Sequence, residues 1–305
     1  MPSHAPAVWL TFLAVVGTLL VIDLGILNRR SHALAPREAL QWSGGIVAVA
    51  LLFGGFLWWQ AGPVTAVEYY AGYLVELSLS VDNLFVFLLV FQYFAVPAEL
   101  QPRVLKWGIF GAILMRGAMI GLGAVLLQQF AWITWVFGAI LILTAAKMLR
   151  AGDERIEPEK NPLVRLARRL VPVTPGYVEN HFFVRGLTRA WMATPLFLVL
   201  LVVEWSDVVF AIDSIPAVFA VTRDPFVVYA SNLFAILGLR ALYFVLAGAL
   251  DRFHYLKPGV ALILLFVGAK MLLGTWVHIA TDLSLVVILA VLTGAVGLSL
   301  LRPRP

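Results

Sequence analysis

The sequence predicts an all-α polytopic membrane protein, with about nine transmembrane helices and an inverted three-helix repeat. Three observations carry this. The 305 residues are 62% hydrophobic and only 13% charged, with a mean hydropathy of +0.94. A soluble chain of that size could not cover its surface from so small a polar share. Apolar runs of about 20 residues recur, long enough to cross hydrocarbon as helices. They are continuous rather than alternating, which argues against a β-barrel. Finally, an ordered set of charges inside these runs occurs twice.

The spans fall at about 8–27, 43–60, 66–95, 104–127, 130–149, 190–221, 228–249, 258–274 and 282–301. The first is read as a span rather than a cleaved signal: no Lys or Arg precedes it, and "NRR" follows it directly. The third and sixth are long, which predicts tilt or a break. Residues 1–65 form two peripheral spans, and 66–150 the first three-helix repeat. Residues 151–189 are a cytoplasmic loop, 190–275 the second repeat, and 276–305 a final span with a short tail.

Charge placement sets the orientation. With the N-terminus outside, the inner loops and tail hold Arg29, Arg30, Arg37, Arg103, Lys106 and the basic residues from Arg150 to Arg189. Arg252, Lys257, Arg302 and Arg304 also fall inside, whereas the outer loops hold Arg223 alone. This is the positive-inside bias, with a cytoplasmic C-terminus, and it accounts for the net charge of +5 without nucleic-acid binding. In the long loop, "NPLVRLARRL" places Asn161 as a possible N-cap and Pro162 at the first helical position. A short helix lying on anionic lipid and a solvated linker helix are equally open readings.

Several classes are excluded or disfavoured. No Cys means no disulfide, thiolate site or cysteine nucleophile. His4, His32, His181, His254 and His278 fall in or near loops, against a His-rich site in the membrane. No HExxH, Ser–His arrangement or nucleotide loop is present, so no enzymatic activity and no tightly bound cofactor are expected. Met115, Met119, Met148, Met192 and Met271 are read as packing, not as soft copper ligands.

The repeat is visible in three consecutive spans. Glu76-x5-Asp82-Asn83 aligns with Asp207-x5-Asp213-Ser214. "GAILMRGAMIG" resembles "FAILGLRALYF", setting Arg116 against Arg240. "LILTAAKML" resembles "LLFVGAKML", setting Lys147 against Lys270. A three-span unit is odd, so its second copy runs the opposite way. Inverted repeats of this kind are a transporter architecture with a midplane site.

The charges within the spans are Glu76, Asp82, Glu204, Asp207 and Asp213 against Arg116, Lys147, Arg240 and Lys270. Facing lipid, an Asp, Arg or Lys costs roughly 2.5–3.5 kcal/mol at the bilayer centre, so the set must face the bundle interior. Pairing as structural glue is one reading. The acids outnumber the bases, and both Lys residues can snorkel, which leaves an anionic midplane suited to a cation. Glu76 and Asn83 share a helix face, as do Glu204, Asp207 and Ser214, while Asp82 and Asp213 lie about 120° away. Convergence of all of them on one point requires a local break, which Pro216 would supply in the sixth span.

The candidate ligands are therefore Glu76, Asp82, Asn83, Glu204, Asp207, Asp213 and Ser214. These are oxygen donors, suited to Mg²⁺, Ca²⁺ or Mn²⁺. Arg116, Arg240, Lys147 and Lys270 are supporting charge partners; the two Arg residues either move with site occupancy or pair permanently. Asp23 and Glu68 read as interfacial, and Asn232 as a helix cap.

Four stretches, "YLVELSLSVDNLFVF", "EWSDVVFAIDSIPAVFAVT", "SNLFAILGLRALYF" and "ENHFFVR", together resemble the TerC/Alx family of bacterial integral membrane proteins, closest to its Alx-like branch. The resemblance covers nearly the whole chain. It implies a bacterial inner-membrane protein of manganese homeostasis, exporting Mn²⁺ as substrate, and it singles out the same acids and Asn83. The family name also carries tellurium resistance, although an acid-lined site should repel an oxyanion. The expected function is thus export of Mn²⁺ or a similar divalent cation, with proton exchange as a candidate coupling. The expected partners are the cation and the lipid bilayer. The alternative is a membrane assembly or scaffold protein with a structural polar core.

Overall fold

The computed structural model describes residues 6–23, 36–130, 132–150, 162–186, 191–246, 255–274 and 279–301; the side chains at 36, 81, 82, 85, 240, 241 and 246 also lie outside the description. Ten helices and one small hairpin make up this part. They are α1 (Pro6–Val21), α2 (Pro36–Ala61), α3 (Pro63–Tyr93), α4 (Gln101–Gln129), α5 (Ile133–Arg150), α6 (Pro162–Leu170), β1 (Phe183–Arg185), β2 (Trp191–Ala193), α7 (Pro195–Phe219), α8 (Pro225–Leu246), α9 (Leu256–Leu273) and α10 (Thr281–Leu301).

Proline punctuates the chain. Six helices, α1, α2, α3, α6, α7 and α8, begin at Pro, whose missing N–H is no loss in a first turn. Between α2 and α3 the chain turns on Gly62 alone, with φ at 92°, a conformation open to glycine because it lacks Cβ. Asn161, expected as the cap of α6, lies outside the described residues.

Six helices are long and apolar enough to cross a membrane among the described residues: Arg37–Ala61, Gln101–Gln129, Ile133–Arg150, Pro195–Phe219, Leu256–Leu273 and Thr281–Leu301. Pro6–Val21 and Pro225–Leu239 are shorter apolar helices. This falls short of the nine spans expected; α3, which carries Glu68, Glu76 and Asp82, is not among the six. Large apolar side chains such as Leu52, Leu114 and Leu143 are exposed, as on a surface whose solvent is lipid.

Two expectations need correction. The sixth span does not start at 190. Trp191–Ala193 are extended and pair antiparallel with Phe183–Arg185, and the helix begins at Pro195. The chain is also not broken at Pro216. Helix α7 runs through it to Phe219, because a proline so close to the C-terminus forfeits only one hydrogen bond of a turn that is ending anyway.

Helix α3 packs on α8 and α7 packs on α4, while α3 meets α7 and α5 meets α9. The α5–α9 contact depends on small residues. A Cβ on Gly268 would sit 3.0 Å from the carbonyl oxygen of Gly138, so the two backbones nearly touch. Helices α1 and α2 are attached through rings: Phe12 meets Phe226 edge-on at 5.5 Å, and Phe53 meets Phe234 at 5.2 Å.

Candidate functional site: a buried Arg–carboxylate cluster

Arg116, in the middle of α4, is the largest fully buried side chain among the described residues. Its Nε donates to Asp207 Oδ2 at 3.1 Å and its Nη2 to Asp207 Oδ1 at 2.8 Å. Its Nη1 donates to Glu76 Oε2 at 2.9 Å. One guanidinium therefore joins α3, α4 and α7, using a fork that Lys could not reproduce. Two carboxylates against one cation leave a formal charge of −1 among side chains that are almost fully buried.

The cluster extends along α7. Glu204 lies almost one turn before Asp207, and its carboxylate occupies the space where a Cβ on Gly111 of α4 would stand. Only glycine at 111 permits that approach. Four buried oxygens of α3 and α7 have no hydrogen-bond partner: Glu76 Oε1 and Glu204 Oε2 beside this core, and Asn83 Oδ1 and Ser214 Oγ seven residues beyond Glu76 and Asp207 in their helices. All four belong to residues that the sequence names as ligands. A cavity of about 20 Å³, room for one water, adjoins Asp207 and is otherwise lined by apolar groups including Phe87, Ile109 and Ile236.

Asp213 goes elsewhere. It accepts a hydrogen bond at 2.8 Å from Thr144 of α5 and has Lys147, nearly one turn along the same helix, as its electrostatic partner. The 120° phase difference between Asp207 and Asp213 thus persists in an unbroken helix and divides the acids between two neighbours. Asp82 and Arg240 lie within α3 and α8, but their side chains are outside the described residues. Among the described residues, no group of three His, Asp or Glu side chains is gathered that could hold a metal ion in this conformation.

Lys270 donates to Ser284 of α10 at 2.8 Å and interacts electrostatically with Glu68 of α3. Glu68 in turn accepts from Thr222 at 2.6 Å, so this residue ties the end of α7 to α3 and α9. Asp23 is buried and accepts from Trp42 Nε1 at 2.8 Å. Sequence reasoning missed Thr144, Thr222 and Ser284. No pattern marks a hydroxyl in an apolar helix as a partner of an acid or Lys on another helix.

Helices, exposed apolar flanks and a charged interior together define a polytopic integral membrane protein. The chain belongs to the TerC family of integral membrane proteins, whose family model matches residues 61–304. It is 46% identical over 300 residues to the membrane protein STKORF319 of Myxococcus xanthus, covering 98% of this chain and 94% of that one. It is 48% identical over 299 residues to Alx of Escherichia coli (strain K12), covering 94% and 92%. A membrane protein of Rickettsia felis is 38% identical over 294 residues, covering 96% and 97%. No solved structure matches.

Proposed function

We propose that this protein is a secondary transporter of the bacterial inner membrane, exporting Mn²⁺ or a similar divalent cation, with no enzymatic step and no resident cofactor. The observation that carries the reading is a net-anionic cluster in helices that also bury four unpartnered oxygens, Glu76 Oε1, Asn83 Oδ1, Glu204 Oε2 and Ser214 Oγ. Each such atom is costly inside a membrane protein, and each is an oxygen donor of the kind a hard cation takes as it passes. Between substrates, Arg116 occupies the Glu76 and Asp207 carboxylates. An arriving cation competes with the guanidinium for these two carboxylates, and Asp82, Asn83, Asp213 and Ser214 complete its path.

On this reading α1, α3 and α8 also cross the bilayer, giving nine spans with the N-terminus outside and the C-terminus inside. Spans α3–α5 and α7–α9 form the inverted repeat. Support comes from the packing: exchanging α3 with α7, α4 with α8 and α5 with α9 maps the pairs α3–α8 and α4–α7 onto each other. Glu76 and Asp207, repeat mates in sequence, share one guanidinium. The Alx relatives are named as membrane-bound redox modulators. A chain without Cys has no thiol couple of its own, so such an effect here would run through the transported metal. Helix α6 lies on the anionic leaflet: Leu166 and Leu170 are exposed on one side, Arg165, Arg168 and Arg169 on the other.

The experiment is Mn²⁺ flux into or out of liposomes holding the purified protein, under an imposed proton gradient. Wild type is expected to transport, and Glu76→Gln, Asp207→Asn and Asp213→Asn to transport far less while remaining folded. A bidentate buried clamp also suits a scaffold with a structural polar core. Absence of flux in folded wild type, under either sign of gradient, would establish that second reading.

A further inference from the structure

Asn232 was expected to cap a helix, and it does not. Helix α8 begins at Pro225, and Asp224 caps it by accepting from the N–H of Phe226 at 3.0 Å. Asn232 lies two turns inside α8, is 1% exposed, and neither its Oδ1 nor its Nδ2 has a hydrogen-bond partner. Its neighbour Ser231 is satisfied by the Val228 carbonyl at 3.1 Å, so the deficit belongs to Asn232 alone. A Leu at this position would fit an apolar helix without leaving a buried amide unsatisfied.

Its placement is informative. Ser231 Oγ stands 3.0 Å from where a Cβ on Gly72 of α3 would be, so this turn of α8 presses on α3 one turn before Glu76. Four and seven residues beyond Asn232 are Ile236 and Leu239, on the same helical face. Both line the cavity whose polar wall is Asp207. The face of α8 bearing Asn232 is therefore the one that, a turn further on, borders Asp207.

We propose that Asn232 is a further substrate contact, its carboxamide oxygen coordinating the divalent cation as it passes the Glu76–Asp207 pair. The proposal rests on the transport reading. A neutral oxygen donor suits this place, because it replaces a water of hydration without adding charge to an already anionic site and so does not prevent release. Its Nδ2 is then free to donate to a cation-bound water.

The test uses the full-length chain in liposomes, with Mn²⁺ as the probe and melting measured in parallel. Asn232→Leu is expected to raise the Mn²⁺ concentration for half-maximal flux about tenfold, as for one lost ligand. Its melting temperature should be equal to or above that of wild type, since an unsatisfied amide has been removed. Asn232→Asp, which keeps the oxygen and adds charge, is expected to lower that concentration and slow the maximal rate. Unchanged half-saturation in both variants would overturn the proposal. So would a lowered melting temperature in Asn232→Leu accompanied by wild-type kinetics in Asn232→Asp, which would mark a structural amide. If wild type shows no saturable Mn²⁺ flux, it is the transport reading that fails; normal wild-type flux with indifferent variants defeats this inference alone.

Discussion

Arg116 holds Asp207 through two parallel hydrogen bonds, 3.1 Å from Nε and 2.8 Å from Nη2, and reaches Glu76 with its remaining nitrogen. The guanidinium is thus the one described cation between two acids on different helices. Removing it strands both. Arg116→Leu is expected to destabilise the fold by about 3–5 kcal/mol, the usual effect of breaking a buried pair. Arg116→Lys should retain charge but lose the fork, with an intermediate effect. The neutralised triple variant Glu76→Gln/Arg116→Met/Asp207→Asn should recover most of the stability and show no Mn²⁺ flux. Thermal melts in detergent with parallel flux assays check this, and full flux in the triple variant would remove the cluster from the transport path.

Gly111 and Glu204 occupy one space between α4 and α7. Gly111→Ala is expected to cost about 1–3 kcal/mol through overpacking. Combining it with Glu204→Ala should restore much of that loss, which gives a coupling energy of opposite sign to either single effect. Additive losses in the double-mutant cycle would mean that the two residues do not compete for this space.

Thr144 is the hydroxyl that holds Asp213 toward α5. Thr144→Val preserves shape and removes the donor, at an expected cost of about 1 kcal/mol. If α5 and α7 move as one unit through Asp213, Mn²⁺ flux falls by more than stability alone explains. Equal flux in the folded variant would make the contact purely structural.

Tyr177 lies outside the helical spans and donates its hydroxyl to the carbonyl of Phe94, just past α3, at 2.8 Å. Burial pushes its phenol up to about 12, against about 10 for an unperturbed tyrosine. The folded value is the higher, so this contribution is complete below about pH 10 and disappears as pH rises through about 12. Melting curves of wild type should lose stability across that window, and those of Tyr177→Phe should lack this step. Parallel curves for the two proteins would rule out the phenol as the pH-sensitive tie.

Helix α6 offers a separate test. Anionic phospholipid added to detergent-solubilised protein is expected to raise the melting temperature of wild type. It should raise that of Arg165→Gln/Arg168→Gln/Arg169→Gln less, with each Arg near the surface contributing about 1 kcal/mol. Equal shifts would place these side chains off the lipid surface.

Membrane class, most helix ranges and the positions of the interior charges were all legible in the sequence. Apolar runs, prolines at helix starts and seven-residue spacings are local signals, and the chain folds locally in accord with them. The hairpin that delays α7 to Pro195 was not legible, because three-residue strands leave no periodic trace. Nor was the intact helix through Pro216 anticipated, since a proline's effect depends on how much helix remains beyond it.

What the sequence determined by itself is the inventory: which carboxylates, amides and bases lie within apolar helices, and on which face of each helix they stand. Tertiary structure alone decided their partners. Arg116 meets Glu76 across 40 residues and Asp207 across 91, and Asp213 turns to Thr144 across 69. The physical reason is that hydrogen bonds between helices depend on which faces pack and at what height. In this chain those are set by close approaches such as that of Gly111 to Glu204 and Gly138 to Gly268, which no periodicity along one strand of sequence encodes.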